Sequence, residues 1–207
     1  MLDGIETEIR DLTVSMLGEE RTPDKFLALM TTVMETVNTL ENRLNELDPP
    51  ETSLACKAGC SRCCSAIPVV TQPAYVIFAL YHARYADEGA SFQQVIENLK
   101  QDTYACFFLK DDRCTNYVAR PIVCRAYHSY DYEACKRDEY LKSDTLAISG
   151  FSAVGMGLES GLKEYSLDCS NVFFNRALAI LLSTEDVVES WLRGENVFAP
   201  SHAEWQQ

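Results

Sequence analysis

Residues 56–64 read Cys-Lys-Ala-Gly-Cys-Ser-Arg-Cys-Cys, so four cysteines lie within nine residues. Four more follow at Cys106, Cys114, Cys124 and Cys135. Cysteines that serve only as small core residues would be scattered along the chain, whereas thiolates that bind a metal must come together at one point. This density predicts a metal centre around which the chain folds.

The spacing within the first group restricts how the sulfurs can be used. Cys56, Cys60 and Cys63 can direct three sulfurs at one point, and Gly59 permits the positive φ that such a loop often needs. Cys64 is harder to place, because neighbouring side chains in extended or loop backbone point apart. In ferredoxins a nearby cysteine serves a second cluster. Two arrangements therefore stay open: two centres, or one centre with Cys64 reaching different partners.

Basic residues next to several of these cysteines favour the thiolate form, which is the form that binds metal. The predicted ligands are the eight clustered cysteines: Cys56, Cys60, Cys63, Cys64, Cys106, Cys114, Cys124 and Cys135. Arg120 and Arg125 are the best candidates to donate N–H groups to bound sulfur. Cys169 has an acidic neighbour and is predicted to be structural. Zinc and an iron–sulfur cluster both stay open as the cofactor.

Other side chains near the cysteines receive weaker assignments. Five tyrosines in the cysteine loops are predicted to cover the centre and exclude water; they are Tyr104, Tyr117, Tyr127, Tyr130 and Tyr132. Asp111 and Asp112 are predicted to form a solvated turn. His128 is expected at the surface or beside a ligand, and His202 in a mobile tail.

The flanking segments carry the apolar spacing of helices. Thr22 and Pro23 form a helix start, and the helix that follows carries an apolar seam from Phe26 to Leu47. This seam predicts either packing on the chain's own domain or a homodimer through the 26–47 helix. Helices are also expected over much of residues 73–99, with a helix start at Ser91, and from about residue 145 onward, with a capping-box-like start at Ser183–Asp186.

The predicted fold class is mostly α. A small helical domain is expected to wrap around an irregular cysteine-ligated centre, with an N-terminal αα-hairpin. Residues 1–50 form the hairpin in this division, and residues 51–207 form the cysteine-cluster domain together with the C-terminal helices.

Composition excludes several classes of partner. The chain has 207 residues, 18 basic and 31 acidic side chains and a formal net charge of −13. Phosphate backbones and anionic membranes attract basic surfaces, so neither nucleic acid nor a membrane is expected as a partner, while a protein partner stays open. Without an apolar signal segment or a membrane-length apolar run, we expect a cytoplasmic protein with reduced thiols.

The stretch from Arg113 to Tyr127, RCTNYVARPIVCRAY, extends the cysteine pattern with an Arg-Pro-x-x-Cys-Arg core. Together with CKAGCSRCC and Cys106-Phe-Phe-Leu it resembles the YkgJ-type cysteine-cluster family, the zinc- or iron-chelating domains with a CxxCxxCC signature. The resemblance covers about residues 55–137. Asn116 departs from the family pattern, which has an apolar residue there, and the first cysteine spacing is three rather than two.

The resemblance implies metal binding but no particular reaction. The primary prediction is a metal-binding protein with an accessory, structural or redox role. Flagellin lysine methylases resemble the family in the cysteine motif, carry an iron–sulfur cluster and use S-adenosylmethionine. They imply the alternative, an iron–sulfur enzyme that acts on a protein side chain, for example by S-adenosylmethionine-dependent lysine methylation.

Overall fold

The computed structural model describes residues 2–47, 55, 59–101, 104–126, 129–137 and 145–203. Most of these residues are helical, which confirms the predicted fold class. The helices are α1 (Leu2–Leu17), α2 (Pro23–Leu47), α3 (Arg62–Ala66), α4 (Pro73–Tyr85), α5 (Ala90–Leu99), α6 (Ile122–Ala126), α7 (Tyr132–Lys136), α8 (Thr145–Lys163), α9 (Phe174–Ser183) and α10 (Val187–Leu192).

Two short antiparallel ribbons and two 3₁₀ turns, Asp87–Gly89 and Ala199–Ser201, complete the described secondary structure. Strand β1 (Val70–Thr71) pairs with β4 (Val172–Phe173), and β2 (Leu109–Lys110) pairs with β3 (Arg113–Cys114). In the second ribbon Leu109 lies opposite Cys114. The first ribbon joins segments about a hundred residues apart, so it brings the chain before α4 next to the chain before α9.

Helix α2 begins as predicted. The Lys25 N–H donates to Thr22 Oγ1 at 3.3 Å, and Pro23 occupies the first helical turn. The apolar seam is buried within the chain as far as Val37, and Phe26 packs edge-on against Trp191 with ring centres 5.2 Å apart. The N-terminal αα-hairpin is therefore present and its first half packs on the chain's own core.

One continuous core links the hairpin to the rest of the chain. The division at residue 50 and the homodimer through the 26–47 helix stay predictions, and the side chains of Leu44 and Leu47 lie outside the described residues. Helix α1 packs lengthwise against α8, where Gly157 and Gly161 let the two backbones approach closely. The Tyr165 hydroxyl donates to the Val14 carbonyl at 2.9 Å across the same contact.

Two predicted helix starts are wrong. Ser91 does not precede α5 but lies within it. The residue that precedes this helix is Gly89, with φ +80°. The Asp87 carboxylate accepts hydrogen bonds from the Ser91 N–H and hydroxyl, at 3.3 and 2.7 Å, and so holds this first turn. The capping box expected at Ser183–Asp186 does not form, because Asp186 adopts φ +53° and its side chain makes no capping bond.

The described part of the C-terminal segment is bonded to the rest of the chain, and the Ala203 N–H donates to the Asn171 carbonyl at 2.8 Å. His202 forms a bridge with Val172, and its Nε2 lies 3.0 Å from Asp168 Oδ2. The Trp191 indole N–H donates to the Asp168 carbonyl at 2.9 Å. The expectation that His202 belongs to a mobile tail is therefore wrong. Within the described ranges, no helix combines the length and apolar character needed to cross a membrane.

Candidate metal centre

Four of the predicted ligand thiols lie close enough together that a negative charge on one affects others. We call Cys63, Cys106, Cys114 and Cys124 the four-thiol cluster. Burial is the main cause that raises the pKa of Cys106, Cys114 and Cys124, with further increases from charges on other thiols of the cluster. The pKa of Cys124 reaches about 12. The neutral form of these half-buried thiols is therefore favoured until a bound cation displaces the protons.

Separate elements bring these thiols together. Cys63 lies in α3, Cys106 precedes β2, Cys114 is in β3 and Cys124 is in α6. A direct backbone bond joins the first two segments, where the Cys106 N–H donates to the Cys64 carbonyl at 2.7 Å. The cluster is thus a tertiary feature that ties α3, the β2–β3 ribbon and α6 to one point.

The expectation that Cys63 and Cys64 point apart is wrong. Both residues lie in α3, and successive side chains of a helix are only about 100° apart. A hydrogen bond with the Cys64 side chain is the largest cause that raises the pKa of Cys63, followed by burial. Helical rather than extended backbone therefore lets the two neighbouring sulfurs share one environment.

Backbone amides lie near two sulfurs of the cluster. The amide of Phe108 lowers the pKa of Cys106, and the amide of Asn116 lowers the pKa of Cys114, in each case against the larger effect of burial. An N–H donor has this effect because it stabilises the thiolate. Such preset donors are what a site for a thiolate-bound cation needs.

Arg120 supplies a further donor. Its charge lowers the pKa of Cys114 and Cys124, although burial dominates both shifts. Its guanidinium stacks on the Tyr117 ring, with the central carbon 3.7 Å from the ring centre. Its Nε is buried and makes no hydrogen bond to any described residue. An unbonded cationic N–H beside two thiols fits a role as donor to bound thiolate.

Arg125 connects the site to the hairpin. Its side chain is only 5% exposed, and Nη1 pairs with Glu41 Oε2 of α2 at 3.0 Å. Nη2 donates to the Val118 carbonyl at 2.8 Å. The Arg125 charge also slightly lowers the pKa of Cys124, though burial and neighbouring thiols outweigh it. Arg125 therefore anchors α6 to α2 while contributing positive charge at the cluster.

Substituting Glu41 with glutamine should lower the free energy of unfolding by about 1–3 kcal/mol, because the buried Arg125 loses its charged partner. The control is Glu164→Gln, which breaks the exposed Arg10–Glu164 pair. Exposed pairs contribute little, so this variant should unfold like the parent. Urea titration compares them; equal losses in both variants would contradict the anchoring role of Arg125.

Cys60 and Cys135 are not among the thiols whose charges raise the pKa values within the four-thiol cluster. Cys60 and Cys135 are half-buried, Cys135 within α7. Cys56 lies outside the described residues. Within the described residues, no three His, Cys, Asp or Glu side chains are already gathered tightly enough to hold an ion. The thiols of the cluster are therefore neighbours that would have to move closer together to bind one cation.

The predicted shield of tyrosines is not what the structure shows. Tyr104, Tyr117 and Tyr132 are exposed to 92%, 52% and 43%, so these three rings do not cover the centre. Tyr127 and His128 lie outside the described residues. The aromatic residues of the same loop that are buried are Phe107 and Phe108, which belong to the core. Aromatic residues in a loop sequence do not indicate which way the rings face.

Two polar contacts at the site escaped sequence reasoning. The Ser61 hydroxyl donates to Asp112 Oδ1 at 2.5 Å and joins the first cysteine group to the β2–β3 turn, where Asp111 and Asp112 both adopt positive φ. Asn116 Nδ2 donates to the Ala79 carbonyl, and its Oδ1 lies 2.7 Å from His82 Nδ1. The departure of Asn116 from the family pattern was the one available signal for the second contact.

Cys169 lies apart in chemistry as well as in sequence. It is buried, and burial raises its pKa to about 12. The charges that act on it belong to Glu159, Lys163 and Asp168. Its environment matches that of an inert core thiol.

The donor set fits zinc or iron. Buried thiolates with backbone and arginine N–H donors suit soft or borderline cations such as Zn²⁺ and iron in iron–sulfur clusters. No curated protein and no solved structure is significantly similar to this chain. A family model described as "CxxCxxCC: Putative zinc- or iron-chelating domain" matches residues 55–145. That range contains the four-thiol cluster, both arginines and every other predicted ligand. Over residues 55–145 this chain is thus similar to the CxxCxxCC domain.

Proposed function

We propose that this chain is a metal protein that binds zinc or iron through its clustered cysteines, in a structural, accessory or redox role. The observation that carries the proposal is the four-thiol cluster, in which four separate segments of the chain place their thiols near one another. The matched domain description supports the same class of ligand.

The charge balance of the site supports a dication or an iron cluster. Four thiolates with one Zn²⁺ would carry a net charge of −2, which is costly to bury without donors. Arg120 and Arg125 would offset that charge, and the amides of Phe108 and Asn116 would donate to two of the sulfurs. When bound, zinc would crosslink the four elements, whereas an iron–sulfur cluster would add the capacity to transfer electrons.

Cys60, Cys64 and Cys135, together with Cys56, remain available as further ligands in this proposal. Cys64 shares a hydrogen bond with Cys63, so it lies beside the cluster. An iron–sulfur cluster or a second ion could use this outer set. The S-adenosylmethionine-dependent alternative stays a prediction.

The test is anaerobic purification followed by elemental analysis, acid-labile sulfide assay and visible absorption. We expect at least one zinc or iron per chain. Iron with labile sulfide and a brown chromophore would assign a cluster, while colourless protein with zinc would assign a structural site. A chain that contains neither metal, and that takes up neither Zn²⁺ nor Fe²⁺ when reduced, would contradict the proposal.

A further inference from the structure

The segment from Ala105 to Leu109, which carries Cys106, has its backbone held almost completely by hydrogen bonds. The Cys106 N–H reaches the Cys64 carbonyl, and the Leu109 N–H reaches the Cys106 carbonyl. The Phe108 carbonyl accepts from the N–H and hydroxyl of Thr115, at 2.8 and 3.1 Å. Since the segment is neither helix nor long strand, its other backbone groups need side-chain partners.

Two asparagines from different helices supply those partners. Asn98 of α5 donates through Nδ2 to the carbonyls of Phe107 and Leu109, at 2.8 and 3.0 Å. Asn175 of α9 accepts from the Phe107 N–H at 3.2 Å and donates to the Ala105 carbonyl at 2.8 Å. We call Asn98 and Asn175 the asparagine clamp.

One member of the clamp, Asn98, is built into the core rather than attached at the surface. Asn98 is 9% exposed, and its Oδ1 accepts from the equally buried Gln94 at 3.1 Å. Both side-chain hydrogens of Asn98 and both polar ends of Asn175 are therefore committed to this one loop. An asparagine amide carries two N–H donors and a carbonyl acceptor, so one side chain can bond several backbone groups at once.

The clamp also determines where the Phe108 amide points. The Phe107 carbonyl and the Phe108 N–H belong to one peptide, so the bond from Asn98 to that carbonyl fixes the direction of the Phe108 N–H, and the Phe107 N–H is held by Asn175. The Phe108 amide in turn lowers the pKa of Cys106. The same geometry places Cys106 beside Cys63, Cys114 and Cys124. The clamp touches no sulfur itself and acts only through the loop.

We propose that Asn98 and Asn175 are positioning residues of the metal centre, which preform the Cys106 loop and thereby increase its affinity for a thiophilic ion. This inference rests on the proposed function. Residues that orient ligands typically change metal affinity by about 10–100-fold when removed.

The test compares Asn175→Ala and Asn98→Leu with Ser201→Ala in the full chain. Ser201 is buried and donates to the Phe198 carbonyl at 2.7 Å, so its variant also loses a buried side-chain bond, away from the cysteines. Asn175→Ala is the milder clamp variant because Asn175 is only half-buried. Zn²⁺ affinity is measured by competition with a chromophoric chelator, and Co²⁺ supplies the thiolate-to-metal absorption band.

We expect each clamp variant that folds to bind Zn²⁺ about 10–100-fold more weakly than the parent. Its Co²⁺ band should lose intensity because Cys106 is no longer held in place, and its Phe108 amide should exchange faster with solvent. Ser201→Ala should retain the parental affinity and band at a comparable loss of stability. This comparison needs no rescue variant of Asn175→Ala.

Parental Zn²⁺ affinity and Co²⁺ absorption in Asn175→Ala would overturn the positioning role, as would an affinity loss equal to that of Ser201→Ala. If Asn98→Leu fails to fold, Asn175→Ala alone decides between these outcomes. A parent chain that binds neither Zn²⁺ nor Co²⁺ would overturn the proposed function itself, and this inference with it.

Discussion

Replacing Cys124 with serine should remove most of the bound metal and make the chain easier to unfold. Cys124 is the thiol that α6 contributes to the four-thiol cluster. If Cys124 is a ligand as predicted, its loss should weaken binding by more than the about 10–100-fold typical of residues that only orient ligands. Because binding free energy at a structural site is folding free energy, the thermal midpoint should fall as well.

Cys169→Ser is the matched control for that experiment. Cys169 is also a buried thiol whose pKa burial raises to about 12, but its charged neighbours are Glu159, Lys163 and Asp168 rather than cluster thiols. Metal per chain should therefore stay at the parental value, whatever the small change in stability. Elemental analysis of both variants measures this. Metal loss in Cys169→Ser together with full occupancy in Cys124→Ser would show that the ligand assignment is wrong.

The helical part of the fold could be predicted because its signals are local. Thr22 and Pro23 begin α2, and the spacing of Phe26, Met30 and Val33 identifies its buried face. The short elements could not be predicted in this way. A two-residue strand such as β1 has no periodicity, and its partner is a hundred residues away in sequence. Helix α3 is a single turn whose sequence looks like a metal-binding loop.

The site divides along the same line. Cysteine spacing predicts that thiols gather, but which thiols meet depends on how α3, β3 and α6 pack. The partner of Arg125 is Glu41, 84 positions earlier, and no local pattern connects them. The asparagine clamp is similarly invisible, because Asn98 and Asn175 act on backbone groups whose need for partners appears only once the loop is folded.

The glycines of α8 illustrate a contact that sequence spacing suggests only in retrospect. Gly157 and Gly161 are four apart and so lie on one face of the helix, against α1. A Cβ at position 161 would lie 2.5 Å from Thr13 Cβ and 3.0 Å from the Arg10 carbonyl oxygen. A Cβ at position 157 would collide with the Glu6 carbonyl oxygen. These obstacles are backbone atoms or a β-branched side chain, so α1 itself would have to move.

Gly157→Ala and Gly161→Ala should each lower the free energy of unfolding by about 1–3 kcal/mol, because overpacking the α1–α8 contact exceeds the gain in helix propensity. Gly155→Ala is the control in the same helix, since its Cβ would meet only the Tyr75 hydroxyl at 4.0 Å. That variant should gain up to about 1 kcal/mol, the usual preference of a helix for alanine. The double variant Gly157→Ala/Gly161→Ala should lose less unfolding free energy than the sum of the two single losses, because one displacement of α1 relieves both contacts. Urea unfolding of the four variants measures each value. If all three single variants shifted stability equally, close approach of α1 and α8 would not be what these glycines provide.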